Sequence, residues 1–239
     1  IGPVGPGEYF QNKELADRTF LSVYSERYLP ANGANRISVF LSPRLLEPRH
    51  GVAPGRWLVR LEGQDIHDGR FHAWIERDDI RQLPGSEGWM LPSTFSPTTN
   101  VDASSVSSLA CGQRVIAVAN YDQVADRIHD TSSQGPTRDG RQKPDLAAPG
   151  TAISAANGFG TPDRPWVAKT GTSMASPYVA GVAARMLARD RKLRATQVIG
   201  IMRRTARPLP GHTYRWQDGA GFGRIDPVEC LHEVDRAFV

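Results

Sequence analysis

Cysteine is almost missing from this chain of 239 residues: Cys111 and Cys230 are the whole complement. Two thiols cannot build a disulfide framework or a four-ligand zinc site, so the fold has to be held by a packed core. Cys111 stands just before the apolar run 115–119 and Cys230 within a helical pattern, which predicts two buried, unreactive thiols. No apolar run approaches about eighteen residues, the length a membrane-crossing helix requires, so no span is expected. Charge is only mildly one-sided, at a formal +4. Arg185, Arg189, Arg191, Lys192, Arg194, Arg203, Arg204 and Arg207 crowd into one stretch, yet they alternate with apolar positions at helical spacing, as the wet faces of two packed helices do. Interleaved aromatics, a zinc-finger pattern and an RNA-binding signature are all lacking beside them, so no nucleic-acid partner is expected. There are no internal repeats.

Glycine and proline are plentiful instead, at 23 and 18 residues, which implies many turns and suits an α/β fold with a β-rich accessory region. The chain opens Ile1-Gly2-Pro3-Val4 without a methionine, a charged leader segment or an apolar h-region. That is not a signal peptide, and the expectation is an internal start, one piece of a longer polypeptide. Residues 15–29 mix charge and aromatics without a clear period and read as helix or loop. Alternation then predicts strands at 37–41, 56–61 and 70–76, the last two joined by a hairpin turn at Asp68-Gly69, with Trp57 and Trp74 packed on one face. A connection rich in Pro, Ser, Thr and Gly follows over 83–109. The continuous apolar run Val115-Ile116-Ala117-Val118-Ala119 predicts a parallel strand buried on both faces. Helical spacing predicts helices from Ser173 to about Asp190, from Ala195 to Ala206 and from Pro227 to Phe238.

The most informative stretch is Gly171-Thr172-Ser173-Met174-Ala175-Ser176-Pro177, a loop that delivers a serine hydroxyl to the first turn of a helix. Backbone N–H groups are unpaired there, and the helix dipole favours the oxyanion that forms when a hydroxyl attacks a carbonyl. The plainer reading is that Ser173 is an N-cap, the commonest task of a serine before a helix. The two glycines of this region, Gly171 and Gly181, are expected to allow close backbone approach at the turn and in helix packing. A serine nucleophile needs a base, and six histidines are available: His50, His67, His72, His129, His212 and His232. Their contexts are turn, strand or helix surface, and each reads as structural or solvated.

Around the serine stand Ser132-Ser133-Gln134-Gly135-Pro136, then Lys143-Pro144-Asp145-Leu146-Ala147-Ala148-Pro149-Gly150, and downstream Gly219-Ala220-Gly221-Phe222-Gly223-Arg224-Ile225-Asp226. In this order they resemble the C-terminal part of the subtilisin-like serine peptidases, the subtilases, most closely from about Arg114 to Asp226. The resemblance implies that Ser173 is the catalytic nucleophile and that the Thr172 hydroxyl assists the oxyanion site, and it assigns Asp145 to structure rather than to a triad. Tyr178 stands where the family usually has a histidine, a departure that bears on local packing.

The family's Asp-Ser/Thr-Gly, its His-Gly-Thr-His and its Ala-Ala-Gly-Asn segments are not in the chain; Asn32 and Asn100 are poor substitutes for the oxyanion asparagine, lying in a turn and in the Ser/Thr-rich connection. The reading is therefore an α/β chain that forms the C-terminal portion of a subtilisin-like parallel-sheet domain (residues 89–239), preceded by a β-sandwich or jelly-roll-like accessory segment (residues 1–88). It is expected to act as a serine endopeptidase on protein or peptide substrates, with the Asp, His and oxyanion Asn supplied by an N-terminal fragment of the same peptidase. The alternative is an inactive pseudo-peptidase serving as a binding or regulatory module. Such chemistry implies no organic cofactor; structural calcium is frequent in the family and stays open, since no Asp/Asn-rich loop with ligand spacing is seen. Family habit favours an extracellular location.

Overall fold

The computed structural model of the chain describes residues 1–16, 19–30, 33–43, 52, 55–63, 66, 68–76, 81–82, 89–90, 93–96 and 102–236. They divide into two units, Ile1–Gly69 and Arg70–Val239.

In the first unit β1 (Tyr9–Glu14), β2 (Phe20–Glu26) and β3 (Arg36–Ser42) form an antiparallel sheet in that order. Much of 15–29, expected as helix or loop, is thus strand: Tyr24 pairs with Tyr9 on one side and Ser38 on the other, so tertiary pairing supplies the order that local periodicity lacked. Stacked Tyr9 and Tyr24 rings (centroids 5.9 Å apart) and the edge-on Tyr24–Phe40 pair (5.8 Å) are cross-strand contacts on one face. Leu21 is buried, whereas Ile37 and Phe40, on opposite faces of β3, are both more than half exposed at 51% and 54%.

The runs 56–61 and 70–76, expected as strands, form no ladder among the described residues. Alternation fixes which side chains share a face; a strand exists only where a neighbouring backbone takes its N–H and C=O groups. Trp57 and Trp74, expected in a core, are 44% and 51% exposed. Trp74 stacks on His72 and donates its indole N–H to the Ser104 carbonyl at 2.9 Å.

The second unit contains the two-residue pair β4 (Arg81–Gln82) and β5 (Trp89–Met90), then β6 (Val118–Asp122), β7 (Arg127–Ile128), β8 (Leu146–Pro149), β9 (Ile153–Ala156) and β10 (Trp166–Lys169), and last α1 (Thr172–Arg189), α2 (Ala195–Thr205) and α3 (Pro227–Arg236). β6 and β8 run parallel, Val118 opposite Leu146, and β7 returns antiparallel on the C-terminal end of β6. β6 begins three residues later than its apolar run. The reason is a side chain: Lys143 Nζ donates to the Val115 carbonyl and the Ala117 N–H donates to Asp145 Oδ2 at 2.7 Å, taking the place of ladder bonds.

Both faces of the β6–β8 pair are covered, as a continuous apolar strand requires. Ala175, Val179, Val182 and Met186 of α1 recur at helical spacing and pack with Leu146, Ala148, Met202 and Val234 on one face; Ala119, Tyr121, Ala147, Leu209 and Ala220 fill the other. Met186 and Met202 are fully buried, each contributing about 1.5–3 kcal/mol of transfer free energy. Cys230 is buried as expected, and burial pushes its thiol pKa up, which keeps it protonated and unreactive. Cys111 is only half-buried, because it lies after a 3₁₀ turn rather than in the strand it precedes. Gly181 meets nothing within 4 Å: it lies on the exposed side of α1 and mediates no close helix packing here.

Two carboxylates of this unit are tuned by hydrogen bonds. Asp139 accepts from the Thr137 hydroxyl at 2.5 Å and from Arg141 Nε at 2.8 Å, which lowers its pKa to about 2. Burial raises Asp226, but the N–H groups of Glu229 and Val228 at the start of α3 and the Arg207 guanidinium outweigh it, for a net lowering. Both groups bind fewer protons folded than unfolded, so the stability they supply is present above the unfolded carboxylate range of about 4 and is lost as pH falls through the folded values. Thermal unfolding followed from pH 5 to 2 is expected to show a falling midpoint, with a shallower fall in an Asp139→Asn, Asp226→Asn double variant. An unchanged slope in that variant would remove the assignment.

Candidate active site

β8 is the axis on which the sequence motifs assemble. The segment 219–226 lies along it: the Phe222 N–H donates to the Asp145 carbonyl at 3.0 Å, the Ala147 N–H to Gly223 O at 2.8 Å and the Ile225 N–H to Ala147 O at 2.8 Å. The segment 132–136 is tied in as well, with the Asn120 N–H on Ser132 Oγ at 3.0 Å and the Gly135 N–H on Asp218 O at 2.8 Å. At the C-terminal end of β8, Gly150 O accepts the Gly171 N–H at 2.8 Å and so places the turn before α1 at the carboxyl end of parallel strands, where open α/β sheets present their sites.

Gly171 is the N-cap, at φ 150° and ψ 167°, a conformation that favours glycine. Its carbonyl accepts the N–H groups of Met174 (2.9 Å) and Ala175 (3.4 Å) and closes the first turn. Thr172 and Ser173 are the first two helical residues, whose N–H groups have no acceptor within the helix. Ser173 is exposed and Thr172 half-buried. Among the described residues no hydrogen bond reaches Ser173 Oγ, and the helix has no side-chain cap, so the N-cap role is filled by Gly171 and not by this serine. Pro177, four residues on, lacks the N–H that would occupy the Ser173 carbonyl, and its ring crowds that carbonyl. The result is a hydroxyl at the positive end of an 18-residue helix, beside open N–H donors, an arrangement able to hold an oxyanion formed on a carbonyl it attacks.

Among the described residues no base is brought to it. His50 and His67 lie outside the described residues, as do Asn32 and Asn100. His72 is stacked on Trp74; His129 Nδ1 lies 2.9 Å from Thr131 Oγ1; His212 is exposed; and His232 Nδ1 lies 3.3 Å from Glu229. Asp145 sits at the opposite end of β8 from Gly150, about 16 Å away at strand rise. It is fully buried and bonded to Lys143 Nζ (2.7 Å) and Arg203 Nε (2.9 Å), an ion cluster that joins α2 to the sheet. Arg203 therefore corrects the expectation of a purely solvated basic face: its guanidinium turns inward to Asp145 and lies over the Phe222 ring at 5.5 Å. Helical spacing alone could not show this, because Asp145 is far away in sequence. Asn120, also fully buried, was missed, although it interrupts an apolar strand pattern. Among the described residues no group of three or more His, Cys, Asp or Glu is placed to hold a metal ion, and no helix is long and apolar enough to cross a membrane.

The model of the subtilase family matches residues 93–223, more than half of the chain. Minor extracellular protease Vpr of Bacillus subtilis (strain 168) is 29% identical over 178 residues, 64% of this chain and 22% of Vpr. Subtilisin-like protease SBT3 of Solanum lycopersicum is 32% identical over 123 residues, 42% of this chain and 16% of SBT3. The chain thus spans less than a quarter of the length of either relative. The solved structure of the Clostridium perfringens CspB protease superposes with a TM-score of 0.61 over 96% of this chain and 46% of CspB; at 20% identity that likeness concerns the fold alone.

Proposed function

Because this chain belongs to the subtilase family of serine peptidases, we propose that it is the serine-bearing portion of a subtilisin-like endopeptidase, with Ser173 as nucleophile. The observation that carries the reading is the exposed Ser173 hydroxyl on a helical turn with open N–H donors, a side chain that does not cap α1 and makes no hydrogen bond among the described residues. The Asp, His and oxyanion Asn come from a polypeptide portion outside these residues. The imidazole of that portion takes the Ser173 proton as Oγ bonds to the peptide carbonyl carbon. The Ser173 N–H, the Thr172 hydroxyl and the incoming Asn hold the oxyanion. The imidazolium then protonates the departing amine, and water, deprotonated by the same base, releases the acyl group and restores the hydroxyl. Residues 1–88, with β1 to β3, are read as an accessory β module ahead of the catalytic portion 89–239, and an extracellular location is inferred from relatives such as Vpr.

A specific observation favours a second reading. Among the described residues no histidine is bonded to Ser173, as in a pseudo-peptidase that only binds. Treating the isolated protein and every co-purifying chain with a fluorophosphonate, then mapping the adduct by mass spectrometry, decides between them. Label on Ser173 together with a portion bearing the Asp and His motifs is the expected result. An unlabelled Ser173 with no such portion in the parent protein would assign the chain to the binding class.

A further inference from the structure

On the face of the β6–β8 pair that meets α1, the row along β6 and its approach reads Ile116, Val118, Asn120: two apolar side chains packed against the core, then a carboxamide. Asn120 is fully buried, and among the described residues its Nδ2 has no acceptor. A buried unpaired donor works against stability and an apolar residue of similar size avoids it, so the amide needs another reason to be there. Its main chain is fixed on the side away from β8, with its N–H on Ser132 Oγ at 3.0 Å and the His129 N–H on its carbonyl at 2.9 Å.

The side chain lies where three segments meet. Asn120 Oδ1 accepts the Thr151 hydroxyl at 3.2 Å. Beside Thr151, a Cβ added to Gly150 would stand 2.5 Å from Asn120 Oδ1, 2.8 Å from the Gly171 carbonyl and 3.0 Å from Ala175 Cβ, so β6, the end of β8 and the first turn of α1 converge on one glycine. Two hydrogen bonds join the last two segments: the Gly171 N–H to Gly150 O at 2.8 Å and the Ala152 N–H to Thr170 Oγ1 at 2.9 Å. Ala152 holds a left-handed φ of 52°, sparsely populated by alanine, which shows that its surroundings impose the shape of this turn.

We propose that Asn120 is a positioning residue for Ser173. Its carboxamide locks the Gly150–Thr151 turn to β6, that turn holds Thr170 and Gly171, and Gly171 sets where the Ser173 hydroxyl points. The inference rests on Ser173 being the nucleophile. Attack geometry is sensitive to shifts of about 1 Å, which lower rates by on the order of a hundredfold.

The test uses the full protein with all its portions and compares it with Asn120→Ala, Thr151→Val and the double variant, reading kcat and KM on a peptide substrate, the rate of fluorophosphonate labelling and the melting temperature. Each single variant is expected to lower kcat and labelling at least about tenfold, with KM and melting temperature little changed. The double variant should be no slower than the slower single, since both break one tie. Unchanged rates in the single variants overturn the proposal, as do losses that multiply in the double variant or that track a fall in melting temperature. Thr151→Val carries the test if Asn120→Ala fails to fold. An unlabelled Ser173 in the unmodified protein is a different outcome: it removes the peptidase reading, and the positioning role with it.

Discussion

Replacing Asp145 with alanine is expected to destabilise the unit Arg70–Val239 by about 3–5 kcal/mol, the range for breaking a buried ion pair by removing one partner. The carboxylate is fully buried and takes four donors: Lys143 Nζ and the Ala117 N–H, each at 2.7 Å, on one oxygen, and Arg203 Nε at 2.9 Å and its NH2 nitrogen on the other. Its loss strands the Lys143 ammonium, whose side chain is 4% exposed, and leaves a buried N–H unpaired. Lys143→Met or Arg203→Met should each cost less, because Asp145 then keeps one cation, and Arg203, 32% exposed, already has partial access to water. A triple variant, Lys143→Met with Asp145→Leu and Arg203→Met, should recover much of the loss, since no charge is left unpaired. Urea unfolding of the four variants gives the ranking. A loss below about 1 kcal/mol for Asp145→Ala, the range of an exposed pair, would show that the cluster is not what joins α2 to the sheet.

That cluster also marks where reading the sequence stops. The helices were legible because their information is local: Ala175, Val179, Val182 and Met186 recur at one period, and Gly171 and Pro227 stand at helix starts. The parallel strand was legible from an apolar run, though not its beginning, which depends on Lys143 and Asp145 reaching back across 28 residues. Residues 70–76, and less strictly 56–61, alternate as a strand would, yet form no ladder among the described residues, because alternation contains no record of a partner. Of the site, the turn carrying Ser173 was legible from composition and motif order. Asn120 was not, since one asparagine in an apolar run has no meaning until β8 and the first turn of α1 are placed against it.

The serine itself should separate chemistry from folding more cleanly than any other position. In the assembled peptidase, Ser173→Ala is expected to lower kcat by about a millionfold, because without the nucleophile the base has no hydroxyl to activate, leaving only the modest catalysis of binding and oxyanion stabilisation. Stability should stay within about 0.5 kcal/mol, the usual range for surface sites away from caps and networks. The side chain is exposed, makes no hydrogen bond among the described residues and does not cap α1. Thr172→Val tests the neighbouring hydroxyl: a loss of about a hundredfold in kcat with KM held is what an oxyanion donor predicts, whereas a turn residue predicts none. Activity surviving in Ser173→Ala would mean that another group attacks the substrate, while a matching fall in melting temperature would mean that Ser173 belongs to the scaffold. The two measurements, taken together on the same preparation, assign the exposed hydroxyl to catalysis only if the rate collapses and the fold does not.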